Sequence, residues 1–236
     1  MKKMLIASTS TIFGSAYLEY ILTDLAKFFK GIDEILFIPY ARPSGISHQD
    51  YTTVARNAFK EIGIKIRGIH EFKNPQEAVK NAKAIFTGGG NTFVLVNALY
   101  KNGIMNAIKK VVENGTLYFG TSAGSNITGV NMKTTNDMPI VLPPSFETLG
   151  LIPFNLNPHY LDSDPSSKHK GETRETRITE FHTYNSIPVL GLREGSWLEV
   201  NNNVITLKGE YTARLFRESE TTEEVAPGVL NISKEI

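Results

Sequence analysis

The segment Gly120-Thr121-Ser122-Ala123-Gly124 is where this sequence has its clearest capacity for covalent chemistry. It follows the apolar run Leu117-Tyr118-Phe119 and opens a stretch of small residues, so a strand is expected to turn sharply into a helix at the serine. A turn of that kind strains the serine backbone and presents the hydroxyl outward. The flanking glycines are required because side chains there would collide with neighbouring backbone. N–H groups at the helix start, Ala123 first, suit a developing oxyanion. Ser122 is therefore the candidate nucleophile of an acyl transfer. The plainer reading, a tight turn or a phosphate cradle, loses ground because the strand stands directly ahead of the motif.

A second glycine cluster, Gly88-Gly89-Gly90, follows the run Ala84-Ile85-Phe86-Thr87. In a parallel sheet both loops leave the carboxyl ends of their strands, where ligands bind. Gly89 or Gly90 is the expected second oxyanion donor. The chain has neither Gly-x-Gly-x-x-Gly nor Gly-x-x-x-x-Gly-Lys-Ser/Thr, so the cluster does not read as a nucleotide site.

A serine hydroxyl needs a base to take its proton. Of the five histidines, His48, His70 and His182 fall on predicted surface helices or strand ends, where a structural role is the simpler reading. His169 lies in the charged stretch Lys168-His169-Lys170 and is a candidate for substrate contact. His159 follows Asn157-Pro158, which stiffens its approach and gives a general base the fixity it needs. An acid must then orient its other nitrogen. Asp137, beside Met138-Pro139, and Glu194, beside Gly195, are both well placed, and spacing does not choose between them. No two histidines or acids show metal-ligand spacing, so neither metal nor other cofactor is expected.

The elements that must carry these groups read as an α/β chain. Strands are expected at Met4–Ser8, Ile35–Pro39, Ile64–Gly68, Ala84–Thr87 and Leu117–Gly120, alternating with helix-period segments. One helix is expected through Leu18 to Phe29, closed by Gly31, and others over Asp50–Ile62, Pro75–Asn81, Thr92–Lys101 and Ile104–Asn114. After about Val130, prolines punctuate a loop-rich segment. A helix over Thr173–Phe181 and strands at Val189–Leu192, Trp197–Val200, Val204–Leu207 and Thr212–Phe216 follow, with a tail from Glu218 that wraps the surface. Right-handed crossovers favour a doubly wound sheet.

With 236 residues, 41% hydrophobic and 21% charged, the chain is large enough for one α/β domain with a real core. Its formal net charge of +1 provides no field for nucleic acid or an anionic membrane. The absence of cysteine excludes disulfides and any thiol nucleophile. No apolar run reaches the roughly 20 residues of a membrane span, so a cytoplasmic protein is expected, as a monomer or homodimer.

The blocks Thr87–Phe93, Ser122-Ala123-Gly124, Thr134–Val141, Asn157-Pro158-His159, His169–Glu175 and Glu194-Gly195 together resemble the peptidase E (aspartyl dipeptidase) family. The match runs in order over nearly the whole chain. It implies a flavodoxin-like, three-layer, mostly parallel doubly wound sheet related to class I glutamine amidotransferases, with serine in place of their cysteine. It implies the triad Ser122, His159 and Glu194, with Asp137 as a further site residue of open role. It further implies a small peptide substrate, a dipeptide with N-terminal aspartate held by Arg174, whose planar fork suits a carboxylate. Thr121, Ser125, Arg193 and the length of the loop between His159 and Arg174 depart from the family pattern and bear on substrate choice. Hydrolysis of another acyl substrate, a cyanophycin-like dipeptide or an ester, and a silent small-ligand-binding module are the rival readings.

Overall fold

The computed structural model describes residues 1–164, 166, 168 and 171–232. Five strands form its parallel centre: β1 (Lys3–Ala7), β2 (Glu34–Ile38), β3 (Lys65–Gly68), β4 (Ala84–Thr87) and β5 (Leu117–Thr121), in the order β1-β5-β4-β2-β3. Except for β3 and the first residues of β1, β2 and β5, these strands are buried on both faces, which is why they read as continuous apolar runs. Helices α1 (Leu22–Phe28) and α2 (His48–Lys60) cover one face, where Leu25, Phe29, Tyr51 and Phe59 pack on Phe37, Phe86 and Phe119. On the other face, α3 (Pro75–Asn81), α4 (Thr92–Lys101) and α5 (Met105–Glu113) bury Val79, Leu95, Leu99, Ile108 and Val112 against Met4, Ile38, Ile85 and Tyr118. This is the three-layer α/β arrangement expected.

The helix starts follow local capping chemistry. Ser47, Asn74 and Asn91 each accept a backbone N–H from the first turn of α2, α3 and α4, and Pro75 takes a first-turn position that needs no donor. The first helix is shorter than its apolar period suggests. Leu18 adopts φ 63°, so a single 3₁₀ turn at Glu19–Ile21 precedes α1.

The second half differs from the expected strand series by dividing between two sheets. The short helix α6 (Ala123–Asn126) leaves β5, and the chain then runs through irregular structure to β6 (Asn155–Pro158), α7 (Arg174–His182) and β7 (Val189–Leu192). Next, β8 (Trp197–Asn201) and β9 (Val204–Lys208) form a hairpin on the free edge of β1, while β10 (Ala213–Phe216) returns to pair with β7. The tail is not merely draped: β11 (Glu223–Val225) extends the smaller sheet and β12 (Gly228–Val229) the larger. The result is an eight-stranded sheet, β12-β9-β8-β1-β5-β4-β2-β3, and a four-stranded sheet, β11-β10-β7-β6. Leu156, Leu190, Leu192 and Leu215 of the smaller sheet join the same core cluster as Ile6 and Leu198 of the larger. Its other side is closed by Ile178 and Phe181 of α7 on Val189 and Phe216.

Candidate active site

Ser122 lies between β5 and α6 at φ 53°, ψ −111°, a conformation that a non-glycine residue adopts only when its surroundings impose it. Those surroundings are tight. A Cβ on Gly120 would stand 2.4 Å from the Gly124 carbonyl oxygen, and one on Gly124 would stand 2.1 Å from that of Thr87. The Ser122 N–H donates to the Ala7 carbonyl at 3.2 Å, and the Ser125 hydroxyl donates to the same oxygen at 2.6 Å. The expected strand-to-helix elbow is thus built, with the Ser125 departure serving to tie α6 to the end of β1. Thr121 is buried in the turn and does not reach the open cleft.

The glycine loop after β4 lies directly against Ser122: a Cβ on Gly89 would be 2.9 Å from the Ser122 Cβ. Gly90, at φ 142°, leans on Ala41 instead, where a Cβ would meet its carbonyl oxygen at 2.3 Å. Beneath the loop, the Tyr51 hydroxyl donates to the Gly89 carbonyl at 3.2 Å.

His159 emerges from the end of β6 at φ 55° and meets Ser122 across the boundary between the two sheets. Its Nε2 lies 2.9 Å from Ser122 Oγ, and its Nδ1 lies 2.5 Å from Glu194 Oε1. A carboxylate can only accept, so the Nδ1 proton points to Glu194 and Nε2 is left to accept from the serine. Glu194 follows β7 and is half exposed. Of the two acids that sequence left open, it is the one beside the imidazole.

Asp137 has another setting. Its Oδ2 accepts the Thr92 N–H at 2.7 Å and the Thr135 hydroxyl at 2.9 Å, fixing it to the start of α4. Its carboxylate still lines the recess that Ser122, Asn126 and His159 also line. Two asparagines brace the loop: Asn157 Nδ2 donates to the Thr134 carbonyl and to Asn136 Oδ1, and Asn136 Nδ2 donates to the Pro158 carbonyl.

Arg174, the first residue of α7, borders a cleft of about 470 Å³ together with His159, Tyr160, Leu161, Arg193 and Glu194. Partial burial and the neighbouring Arg177 lower its pKa, and Asp137 offsets part of that effect. A larger cavity, about 530 Å³, opens elsewhere around Asp33, Phe72 and Glu77 and contains none of these groups. His169 lies outside the described residues. His70 contacts Gln49 and His182 contacts the Ile187 carbonyl, and neither partner lines the cleft.

Arg193 is the contributor that sequence reading noticed only as a departure. Its guanidinium pairs with both oxygens of Asp162, at 2.8 and 2.9 Å, and with Glu224 at 2.5 Å, and it donates to the Thr212 carbonyl at 2.7 Å. It thereby ties the loop after His159 to β11, one residue away from Glu194. No local pattern announces such a knot, because its partners lie some 30 residues off in either direction. Among the described residues no group of three or more metal-binding side chains comes together, and no helix is long and apolar enough to cross a membrane.

Comparisons with known proteins bear on the family and the fold. Residues 4–208 match the model of Peptidase family S51. Peptidase E of Streptomyces coelicolor is 49% identical over 95% of this chain and 91% of its own. The probable alpha-aspartyl dipeptidase of Drosophila melanogaster is 43% identical over 96% and 94%. Among solved structures, a peptidase from an acI-B1 Actinobacterium superposes with a TM-score of 0.72, 16% identity and coverage of 97% of this chain and 96% of that one. A putative Peptidase E protein from Listeria monocytogenes superposes with a TM-score of 0.66, 20% identity and coverage of 89% and 98%. The two superpositions establish the fold, and the family match over most of the length establishes the lineage: this chain belongs to peptidase family S51.

Proposed function

We propose that this chain is a serine dipeptidase that cleaves dipeptides bearing N-terminal aspartate, through Ser122, His159 and Glu194. The observation that carries the reading is the imidazole of His159 bridging Ser122 Oγ at 2.9 Å and Glu194 at 2.5 Å. The first lies within the reach expected of a working nucleophile and base, and the second is a short contact with the orienting acid. The alpha-aspartyl dipeptidase name borne by the Drosophila relative supports the substrate class.

In this mechanism Ser122 Oγ attacks the peptide carbonyl as Nε2 takes its proton, and Glu194 steadies the imidazolium that results. The imidazolium then protonates the departing amine. Water, deprotonated by the same nitrogen, cleaves the acyl-enzyme. The tetrahedral oxyanion is met by the Ala123 N–H and by one N–H of the Gly89-Gly90 turn. Tyr51 holds the Gly89 carbonyl, and a trans peptide sets the following N–H antiparallel to it, so the Gly90 N–H turns away from Tyr51 and is free to donate.

Arg174 serves the aspartate side chain as a planar two-pronged donor. The Asp137 carboxyl, fixed in the recess that Ser122 lines, matches the α-ammonium that only an unblocked N-terminal residue carries. Opposite charges in the two adjoining recesses that share His159 would select an N-terminal aspartyl residue over an internal one. The test is hydrolysis of Asp-Leu and an aspartyl anilide by the purified protein without added metal. Ser122→Ala should abolish turnover while its circular dichroism stays unchanged. Full turnover in that variant removes the reading.

A further inference from the structure

We infer that Ser8 is a positioning residue for the reaction, the side chain that sets the angle at which the His159 ring meets the nucleophile. The inference rests on the serine peptidase reading above. Ser122 belongs to the larger sheet, whereas His159 and Glu194 follow strands of the smaller one. The distance between nucleophile and base is therefore set by how the two sheets are joined at their carboxyl ends, and not by either sheet alone.

Ser8 stands at that joint. It directly follows β1, is fully buried, and its N–H donates to the Ser196 carbonyl at 3.0 Å. Its hydroxyl accepts the backbone N–H of His159 at 2.9 Å and donates to the Leu192 carbonyl at 2.7 Å. The residue before it, Ala7, accepts the Ser122 N–H. Two adjacent residues thus hold the backbone of the nucleophile, the backbone of the base and the strand end two residues ahead of Glu194.

The bond to His159 also has a conformational purpose. At φ 55° the histidine sits in the left-handed region, which costs a non-glycine residue unless its N–H and C=O are held there. Tyr160 N–H donates to the same Leu192 carbonyl at 3.1 Å, so one oxygen and one hydroxyl together fix both peptides that flank the histidine. Without the hydroxyl, the His159 N–H loses its partner in a partly buried setting and the residue can relax to negative φ, swinging the ring off Ser122.

The test compares Ser8→Ala with the unaltered enzyme and with Ser122→Ala. The expected result is a fall of 10- to 100-fold in kcat with KM within twofold, because Arg174 and Asp137 are untouched. The rate of Ser122 labelling by a fluorophosphonate should fall in the same proportion. The downfield proton resonance of the His159 Nδ1–H facing Glu194 should broaden or shift. A merely structural serine would lower the melting temperature and leave these readouts unmoved at 25 °C. Should Ser8→Ala fail to fold, Ser8→Cys, which fills the space with a weak acceptor, bears the same expectation. Wild-type kcat and labelling in the folded variant overturn the inference. If Ser122→Ala also retains turnover, the peptidase reading itself is what has failed.

Discussion

The carbonyl oxygen of Thr87 occupies the place where a side chain on Gly124 would begin, 2.1 Å from a Cβ built there. The end of β4 and the first turn of α6 are therefore in backbone contact, and the elbow around Ser122 is clamped from outside the motif. Gly124→Ala should cost about 3 kcal/mol or more, since neither wall is a flexible side chain. Gly63→Ala makes the contrast: nothing lies within 4 Å of that site, and its φ of 73° alone should cost about 1–2 kcal/mol. Urea denaturation midpoints decide it, and equal losses at the two positions would mean that the elbow yields.

Glu194→Gln keeps the size of the acid and removes the charge that steadies the imidazolium in the proposed mechanism. The expected effect is a loss on the order of 10³-fold in kcat, with little change in KM. Steady-state kinetics on an aspartyl anilide measure it. A variant within tenfold of wild type would show that His159 does not depend on this carboxylate.

Arg174→Met should lower kcat/KM for Asp-Leu on the order of 10²-fold and flatten the preference for Asp-Leu over Asn-Leu, because the side-chain carboxylate loses its paired donors. Arg174→Lys should fall between, since an ammonium keeps the charge without the fork. An unchanged preference in Arg174→Met would place recognition of the carboxylate elsewhere.

Arg193→Met tests the knot behind Glu194. Hydrogen bonds from Arg193 hold the Asp162 carboxyl below its usual range. For Glu224, burial pushes upward but is outweighed by Arg193 and the Thr212 hydroxyl. Carboxylates with depressed folded values add stability above their unfolded pKa near 4 and lose it as pH falls through the folded ones. The variant should therefore be about 1–2 kcal/mol less stable at pH 7, a modest figure because both carboxylates are half exposed to screening water. The gap should hold down to roughly pH 4 and close below it. Chemical denaturation at several pH values gives the comparison, and a gap that widens in acid contradicts the assignment.

Much of this was legible in the sequence. The parallel centre announced itself because strands buried on both faces have no polar alternation, and α3 and α4 run over the segments expected of them. Ser122 was legible because the elbow needs its glycines within five residues. Other features were not. The strands from Val189 onward read in sequence as one series, yet β7 and β10 enter one sheet and β8 and β9 another, a choice made by partners distant in sequence. Asp137 and Glu194 looked alike for the same reason: which acid faces an imidazole depends on the docking of sheets, and the distinction lies in space. Ser8 carried no signal beyond a polar residue at the end of a strand.

In the proposed mechanism the division of the machinery between two sheets also bears on how the protein loses activity. Each layer holds an incomplete kit, so hydrolysis reports their alignment more sensitively than any measure of helix or strand content does. Mild heat or denaturant that loosens the four-stranded layer should silence the chain while its spectra still look native, and cooling should restore turnover without a refolding lag.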